Sequence, residues 1–190
     1  MERNIEHYLF HKKNFLSEEF CKKSIDMLES SEWKTHGYYD RNGNSFEYPS
    51  SGGDDPDMLS DPHPYLNEHI IKLIRPALHE YIDGLEFKWF GGWAGYSAIK
   101  FIRYSVNHKM YEHCDHAHDL FDGERKGVPV LSLIGVLNDD YEGGEFIMFG
   151  DKQIELDGGD LIVYPSTFLY PHRVEPITKG VRYSYVSWTW

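Results

Sequence analysis

Apolar residues recur along residues 17–31 (SEEFCKKSIDMLESS) at Phe20, Ile25, Met27 and Leu28, an approximate stripe down one side of a helix that Ser17 can cap. The pattern returns over 64–83 (PYLNEHIIKLIRPALHEYID), where Leu66, Ile70, Leu73, Ile74, Leu78 and Ile82 follow helical spacing. Pro76 has no amide hydrogen and crowds the preceding turn, so this second helix is expected to kink or divide there, and Gly84 is expected to end it. Between the helices, residues 37–62 (GYYDRNGNSFEYPSSGGDDPDMLSDP) are polar and rich in Gly and Pro. A loop this long inside a compact domain is expected to be either a lid over a site or a plain insertion.

Later the pattern changes. Short apolar runs at 98–104 (AIKFIRY), 128–137 (VPVLSLIGVL), 145–149 (EFIMF), 160–164 (DLIVY) and 181–188 (VRYSYVSW) are bounded by Gly, Asp, Asn and Pro, which is a succession of strands and turns. The expected fold class is α+β, mainly β. Supporting helices occupy residues 1–95, and an antiparallel β sandwich or barrel occupies about 96–190, in a single domain.

Composition narrows the picture. Hydrophobic residues make up 41% of the 190 and aromatics 16%, enough for a folded core and weighted toward sheet. The net charge of −12 repels phosphate backbones and argues against a nucleic-acid partner. Cys21 and Cys114 could form one bridge, although two reduced thiols are the simpler expectation. The N-terminal stretch MERNIEHYLFHKKNF has no continuous apolar core and no run reaches membrane-spanning length, so a cytoplasmic protein without a membrane association is expected.

Chemistry first surfaces in residues 110–118 (MYEHCDHAH). His113 and Asp115 stand two apart, so on an extended strand both side chains point to one face. With a distant second histidine they would form a facial triad that leaves open positions on a ferrous ion. By itself the pair is weak, and His108, His116 and His118 are rivals nearby. A second cluster raises its weight: His172 follows the LIVYP run, and Arg182 lies ten residues further on in a strand-like segment. A guanidinium there can hold a carboxylate through two parallel bonds. The pairs Gly143–Gly144 and Gly158–Gly159 read as tight turns whose glycines supply positive φ.

Four elements in this order resemble the Fe(II)/2-oxoglutarate dioxygenases of the prolyl 4-hydroxylase type. They are YSVNHKMYEHCD (104–115), LNDDYEGGEF (137–146), LDGGDLIVYP (156–165), and the block with His172, Gly180, Val181, Arg182 and Trp188. The resemblance spans residues 99–190. It implies a double-stranded β-helix (jelly roll) with iron held by His113, Asp115 and His172. It also implies that Arg182 binds the distal carboxylate of 2-oxoglutarate, that the Tyr104 hydroxyl bonds the same cosubstrate, and that Trp188 lies near the substrate, although Trp188 also reads as a core residue. Iron(II), 2-oxoglutarate, dioxygen and ascorbate as reductant are the implied cofactors. The implied reaction is hydroxylation of a prolyl residue in a peptide or protein, with succinate and carbon dioxide as coproducts, and the 37–62 segment falls where that family carries a loop that closes over peptide.

Departures from the pattern leave other substrates open. Peptide-acting prolyl hydroxylases carry an arginine on the strand before the GGE motif; that place falls near Pro129 here, with Arg125 close by. Asn107 replaces a glycine and can adopt the same left-handed turn. Asp115 is kept, unlike in the related halogenases. The alternatives are a hydroxylase of a free amino acid or other small molecule, and a non-catalytic cupin-like binding module.

Overall fold

A computed structural model describes residues 4–39, 45–46, 53–87, 92–115 and 129–190. A 3₁₀ turn (Ile5–Tyr8) leads into strand β1 (Phe10–Lys12) and helix α1 (Glu18–Glu29). Ser17 caps α1 as expected, accepting a bond from the Phe20 amide at 3.2 Å. The chain continues through β2 (Trp33–Thr35), β3 (Tyr38–Tyr39), β4 (Ser45–Phe46) and β5 (Asp57–Leu59) to helix α2 (Pro64–Leu85). Ten strands follow: β6 (Lys100–Tyr104), β7 (Met110–His113), β8 (Leu131–Val136), β9 (Glu142–Gly143), β10 (Phe146–Met148), β11 (Lys152–Ile154), β12 (Leu161–Pro165), β13 (His172–Val174), β14 (Ile177–Lys179) and β15 (Arg182–Thr189).

Helix α2 departs from expectation twice. It runs unbroken through Pro76, because Pro76 and Lys72 one turn earlier are both exposed, so the carbonyl that loses its partner faces water. Nor does it stop at Gly84. Leu85 continues the buried row of Ile74, Leu78 and Tyr81, and the chain turns only at Glu86, in the left-handed conformation at φ 57°.

Seven strands form the larger sheet, in the order β1-β12-β8-β15-β6-β5-β2, and four form the smaller, β11-β10-β13-β7. All their pairings are antiparallel. Strand alternation sorts the larger sheet's side chains. Phe101, Leu131, Leu133, Leu161, Val163, Tyr183 and Tyr185 pack beneath the helices with Leu28, Leu66, Ile70, Ile74 and Leu78. Ile102, Tyr104, Ile162, Tyr164, Val186 and Trp188 point the other way, toward Met110, Phe146, Met148 and Val174 of the smaller sheet. With both faces covered, all eight residues of β15 are buried. This is the two-sheet arrangement of a jelly roll.

The 37–62 segment is more structured than a loop at its C-terminal end. There β5 joins the larger sheet between β2 and β6, and Asp57 pairs with Arg103 at 2.8 Å. Its stabilisation is by ion pair and by Arg103 lying 4.8 Å over the Trp33 ring, so no apolar alternation marks it. Residues 40–44 and 47–52 of that segment, together with His116, His118 and Arg125, lie outside the described residues.

The LDGGD turn does more than reverse the chain. Asp160, 1% exposed, accepts bonds from His11 Nε2 at 2.8 Å, the Asn14 amide at 2.9 Å and the Asp157 amide at 3.2 Å, which fastens the N-terminal strand to the core. Gly159 sits at φ 92°, where an added Cβ would come 2.4 Å from the Leu16 carbonyl oxygen. Gly159→Ala is therefore expected to lower stability by about 2–4 kcal/mol, from left-handed strain plus a backbone clash. Urea unfolding at an unchanged denaturant slope measures it; a loss under 1 kcal/mol, roughly the level of an ordinary surface change, would show that the turn relaxes freely.

Candidate active site

Strands β7 and β13 lie side by side in the smaller sheet, and their register sets His113 directly opposite His172. The two imidazole centroids are 4.4 Å apart. Asp115, two residues past His113, turns to the same face, with its Oδ1 3.7 Å from His113 Nε2. One donor atom from each of the three lies within 4.8 Å of the others, and they are the one such metal-capable group among the described residues. The expected triad thus comes together.

Hydrogen bonds orient each member. His113 Nδ1 bonds the Tyr111 carbonyl at 2.7 Å, and His172 Nδ1 bonds the Tyr170 carbonyl at 3.2 Å, in both cases two residues back along the chain. A carbonyl only accepts, so Nδ1 carries the hydrogen and the Nε2 lone pair is left for a ligand. Ser132 Oγ, on β8, donates to Asp115 Oδ2 at 2.6 Å and also contacts Ser166 Oγ at 2.7 Å. The Tyr164 hydroxyl lies 3.5 Å from the same carboxylate oxygen and 3.3 Å from His172 Nε2.

Protonation follows from these surroundings. Burial and then the nearby His113 lower His172 to about 4, so its ring is neutral at neutral pH. Burial pushes the Asp115 carboxyl up, but His172, His113 and the Ser132 hydroxyl outweigh it and hold the group below the usual carboxylate value. Two imidazoles and an ionised carboxylate form the donor set of a ferrous facial triad, and the residues present fit that ion.

Arg182 opens β15, facing into the space between the sheets. It is 1% exposed, yet no Asp or Glu among the described residues forms an ion pair with it. Its Nε donates to the Tyr141 hydroxyl at 3.2 Å, and its guanidinium lies 5.1 Å from the ring of Tyr104, its register partner. Burial raises the Tyr104 phenol to about 12 against the opposing pull of Arg182, so it is a protonated donor at neutral pH. The glycine turn makes room for this cation. Gly143 and Gly144 have φ of 78° and 70°, and a Cβ on Gly144 would approach Arg182 Cδ to 3.3 Å and Ile177 Cδ1 to 2.4 Å.

Other expectations resolve individually. Asn107 takes the left-handed conformation at φ 72°. Both cysteines are free thiols, and burial raises Cys21 to about 11. Trp188 belongs to the inter-sheet core at 7% exposure, where Lys100 Nζ lies 5.4 Å over its ring and its indole N–H helps hold the Asp115 carboxylate ionised. Ser132, Tyr164, Tyr141 and His36 escaped the sequence reading. A lone hydroxyl inside the apolar run LSLIGVL was the available signal for Ser132.

Residues 99–190 match the model of the 2OG-Fe(II) oxygenase superfamily. A PKHD-type hydroxylase of Xylella fastidiosa is 39% identical over 99 residues, covering 47% of this chain and 42% of that relative, so the match represents less than half of the relative's length. One from Aliarcobacter butzleri is 54% identical over 55 residues, covering 27% and 23%. Among solved structures, a Pseudomonas putida prolyl-4-hydroxylase superposes with TM-score 0.63 at 19% identity, covering 96% of this chain and 92% of that one. A Trichoplax adhaerens prolyl hydroxylase in complex with a hypoxia inducible factor peptide fragment superposes with TM-score 0.66 at 16% identity, covering 97% and 84%. At such identities the structures establish the jelly-roll fold alone. Among the described residues no helix is long and apolar enough to cross a membrane.

In the metal-free protein, the site is expected to make stability depend on pH. His172 takes up a proton at about 4 when folded and near its ordinary 6.5 when unfolded, so the unfolded chain binds more protons between those values. His36, lowered to about 4 by burial and then by His113 and Lys100, adds to the same window. Stability is full above the unfolded value and drains as pH falls toward the folded one. Urea midpoints of the metal-free protein should drop between about pH 7 and about pH 4.5, and His36→Gln should flatten that drop. A midpoint independent of pH over this range would contradict the lowered proton affinity of both rings.

Proposed function

We propose that this chain, whose residues 99–190 match the model of the 2OG-Fe(II) oxygenase superfamily, is an iron(II)- and 2-oxoglutarate-dependent dioxygenase that hydroxylates a prolyl residue in a peptide or protein. Arg182 carries the reading. A guanidinium shut between two sheets, with no ion-pair partner among the described residues, is costly unless a ligand brings the anion, and a 2-oxoglutarate carboxylate would do so. A binding module that only held a metal would have no use for that cation.

His113, Asp115 and His172 would hold the iron, with Ser132 fixing which Asp115 oxygen turns toward it and the Tyr111 and Tyr170 carbonyls fixing the ring orientations. Arg182 would clasp the distal carboxylate of 2-oxoglutarate, assisted by the protonated Tyr104 hydroxyl. Together, iron, 2-oxoglutarate and dioxygen supply an oxidation in which one oxygen atom enters a substrate C–H bond and the other leaves in succinate, with carbon dioxide released. The inter-sheet residues Ile102, Met148, Val174 and Val186 keep water from the site, so that an oxidant is not spent idly. Ascorbate would serve as the reductant that keeps the iron ferrous.

Support for a prolyl substrate comes from the motif order and from the prolyl hydroxylases among the fold relatives. The direct test is turnover of 2-oxoglutarate to succinate with iron and ascorbate against proline-containing peptides and free proline. A mass gain of one oxygen on a peptide proline is the expected product; oxygen gain on free proline alone would replace the peptide with a small molecule.

His113→Ala, Asp115→Ala and His172→Ala are each expected to reduce succinate formation by at least about a thousandfold, because each removes an iron ligand. Arg182→Met should act differently, raising the 2-oxoglutarate KM by about a hundredfold with a smaller change in kcat, since it removes one end of a bidentate contact. Full activity in His172→Ala would overturn the ligand assignment.

A further inference from the structure

We infer that Asp54 is a positioning residue for iron binding, acting through β7. The inference rests on the proposed iron ligands and goes on to say what sets their strand in place. Strand β7 carries His113 and leads to Asp115, and it is the terminal strand of the smaller sheet among the described strands. Its described strand pairing is with β13, and that register is irregular between His172 and Val174. A second restraint comes from across the gap between the sheets. Asp54 Oδ2 pairs with Lys109 Nζ at 2.7 Å and accepts a bond from the Tyr111 hydroxyl at 3.3 Å, and the Asp54 carbonyl accepts from the Lys109 amide at 2.9 Å. The Lys109 ammonium also lies 4.6 Å over the Tyr111 ring. One residue thereby grips both the entry to β7 and its second residue.

The grip leads straight to the metal side. The Tyr111 carbonyl accepts the His113 Nδ1 hydrogen, so moving Tyr111 rotates the imidazole that presents Nε2. Asp54 lies three residues before Asp57, where β5 is stitched to β6 by the Arg103 pair, so the grip is anchored in the larger sheet. The two ion pairs are comparably enclosed: Asp54 and Asp57 side chains are each 20% exposed, Lys109 30% and Arg103 26%. They differ in what they touch. Asp57 holds β5 to β6 within one sheet, whereas Asp54 holds the segment leading into β5 to the ligand-bearing strand.

That difference supplies the control. In metal-free protein, Asp54→Asn should speed amide exchange across residues 110–113 by about fivefold, while Asp57→Asn leaves those amides at the parent rate. Titrated with Co(II) as a spectroscopic stand-in for iron, Asp54→Asn should bind about tenfold more weakly than the parent, and Asp57→Asn within about twofold of it, even where both lose similar thermal stability. Unchanged exchange over 110–113 in Asp54→Asn, or equal losses of Co(II) affinity in the two variants, would overturn the inference. If the parent itself bound no Co(II), the proposed function would fail, and the exchange measurement would still decide whether Asp54 restrains β7.

Discussion

Everything the site can do depends on the pairing of β7 with β13, which sets one histidine opposite another. Side chains on a strand alternate, so a slip of one residue would send His172 to the opposite face from His113 and Asp115. Burial guards against that slip. Met110 and Val174, the other residues in register across this pair, sit in the inter-sheet core and would be expelled with it. The apolar partners thus specify the metal-side geometry more firmly than the ligands could themselves, since three polar groups gathered without an ion gain little from meeting.

The larger sheet solves a different problem. One face is sealed by α1 and α2 with a mainly apolar seam, which leaves the other free to carry polar groups between the sheets. Along β15 this division is visible residue by residue. Tyr183 and Tyr185 go to the helices, whereas Arg182, Ser184, Val186 and Trp188 alternate with them toward the smaller sheet. Gly135 records the tightness of the helix-side seam, because an added Cβ there would meet the Tyr185 ring at 2.1 Å. Stability is built on one side of the sheet so that chemistry can be placed on the other.

How legible this was in the sequence varies with the physics of each part. The five apolar runs of the second half became β6, β8, β10, β12 and β15, because strands that bury one or both faces between other elements carry a high share of apolar and aromatic residues. The triad was legible through spacing, HxD followed by a distant histidine, and Arg182 through its place in a strand-like block. Strands β2, β5, β7 and β14 were harder, since they are short, partly exposed and rich in charge, with ion pairs replacing alternation. Ser132 and Tyr164 were hidden for the opposite reason: inside apolar strands a single hydroxyl looks incidental until a carboxylate from 17 or 49 residues away arrives beside it. The end of α2 at Leu85 and not Gly84 shows burial overriding a local stop signal.

The overall charge of −12 gives the wrong sign for the interior. Surface carboxylates act through water and salt, so their fields fade within roughly 8–10 Å under physiological conditions. Arg182 lies between two sheets, where screening is weak and a fixed cation dominates its surroundings. A small dianion approaching the protein meets repulsion at long range and attraction only once it has entered between the sheets. Under the proposed function, affinity for such a ligand would come from direct contact with Arg182 and Tyr104 inside the site, and not from electrostatic steering, which would make the glycine turn that leaves space for that guanidinium as necessary to binding as the guanidinium itself.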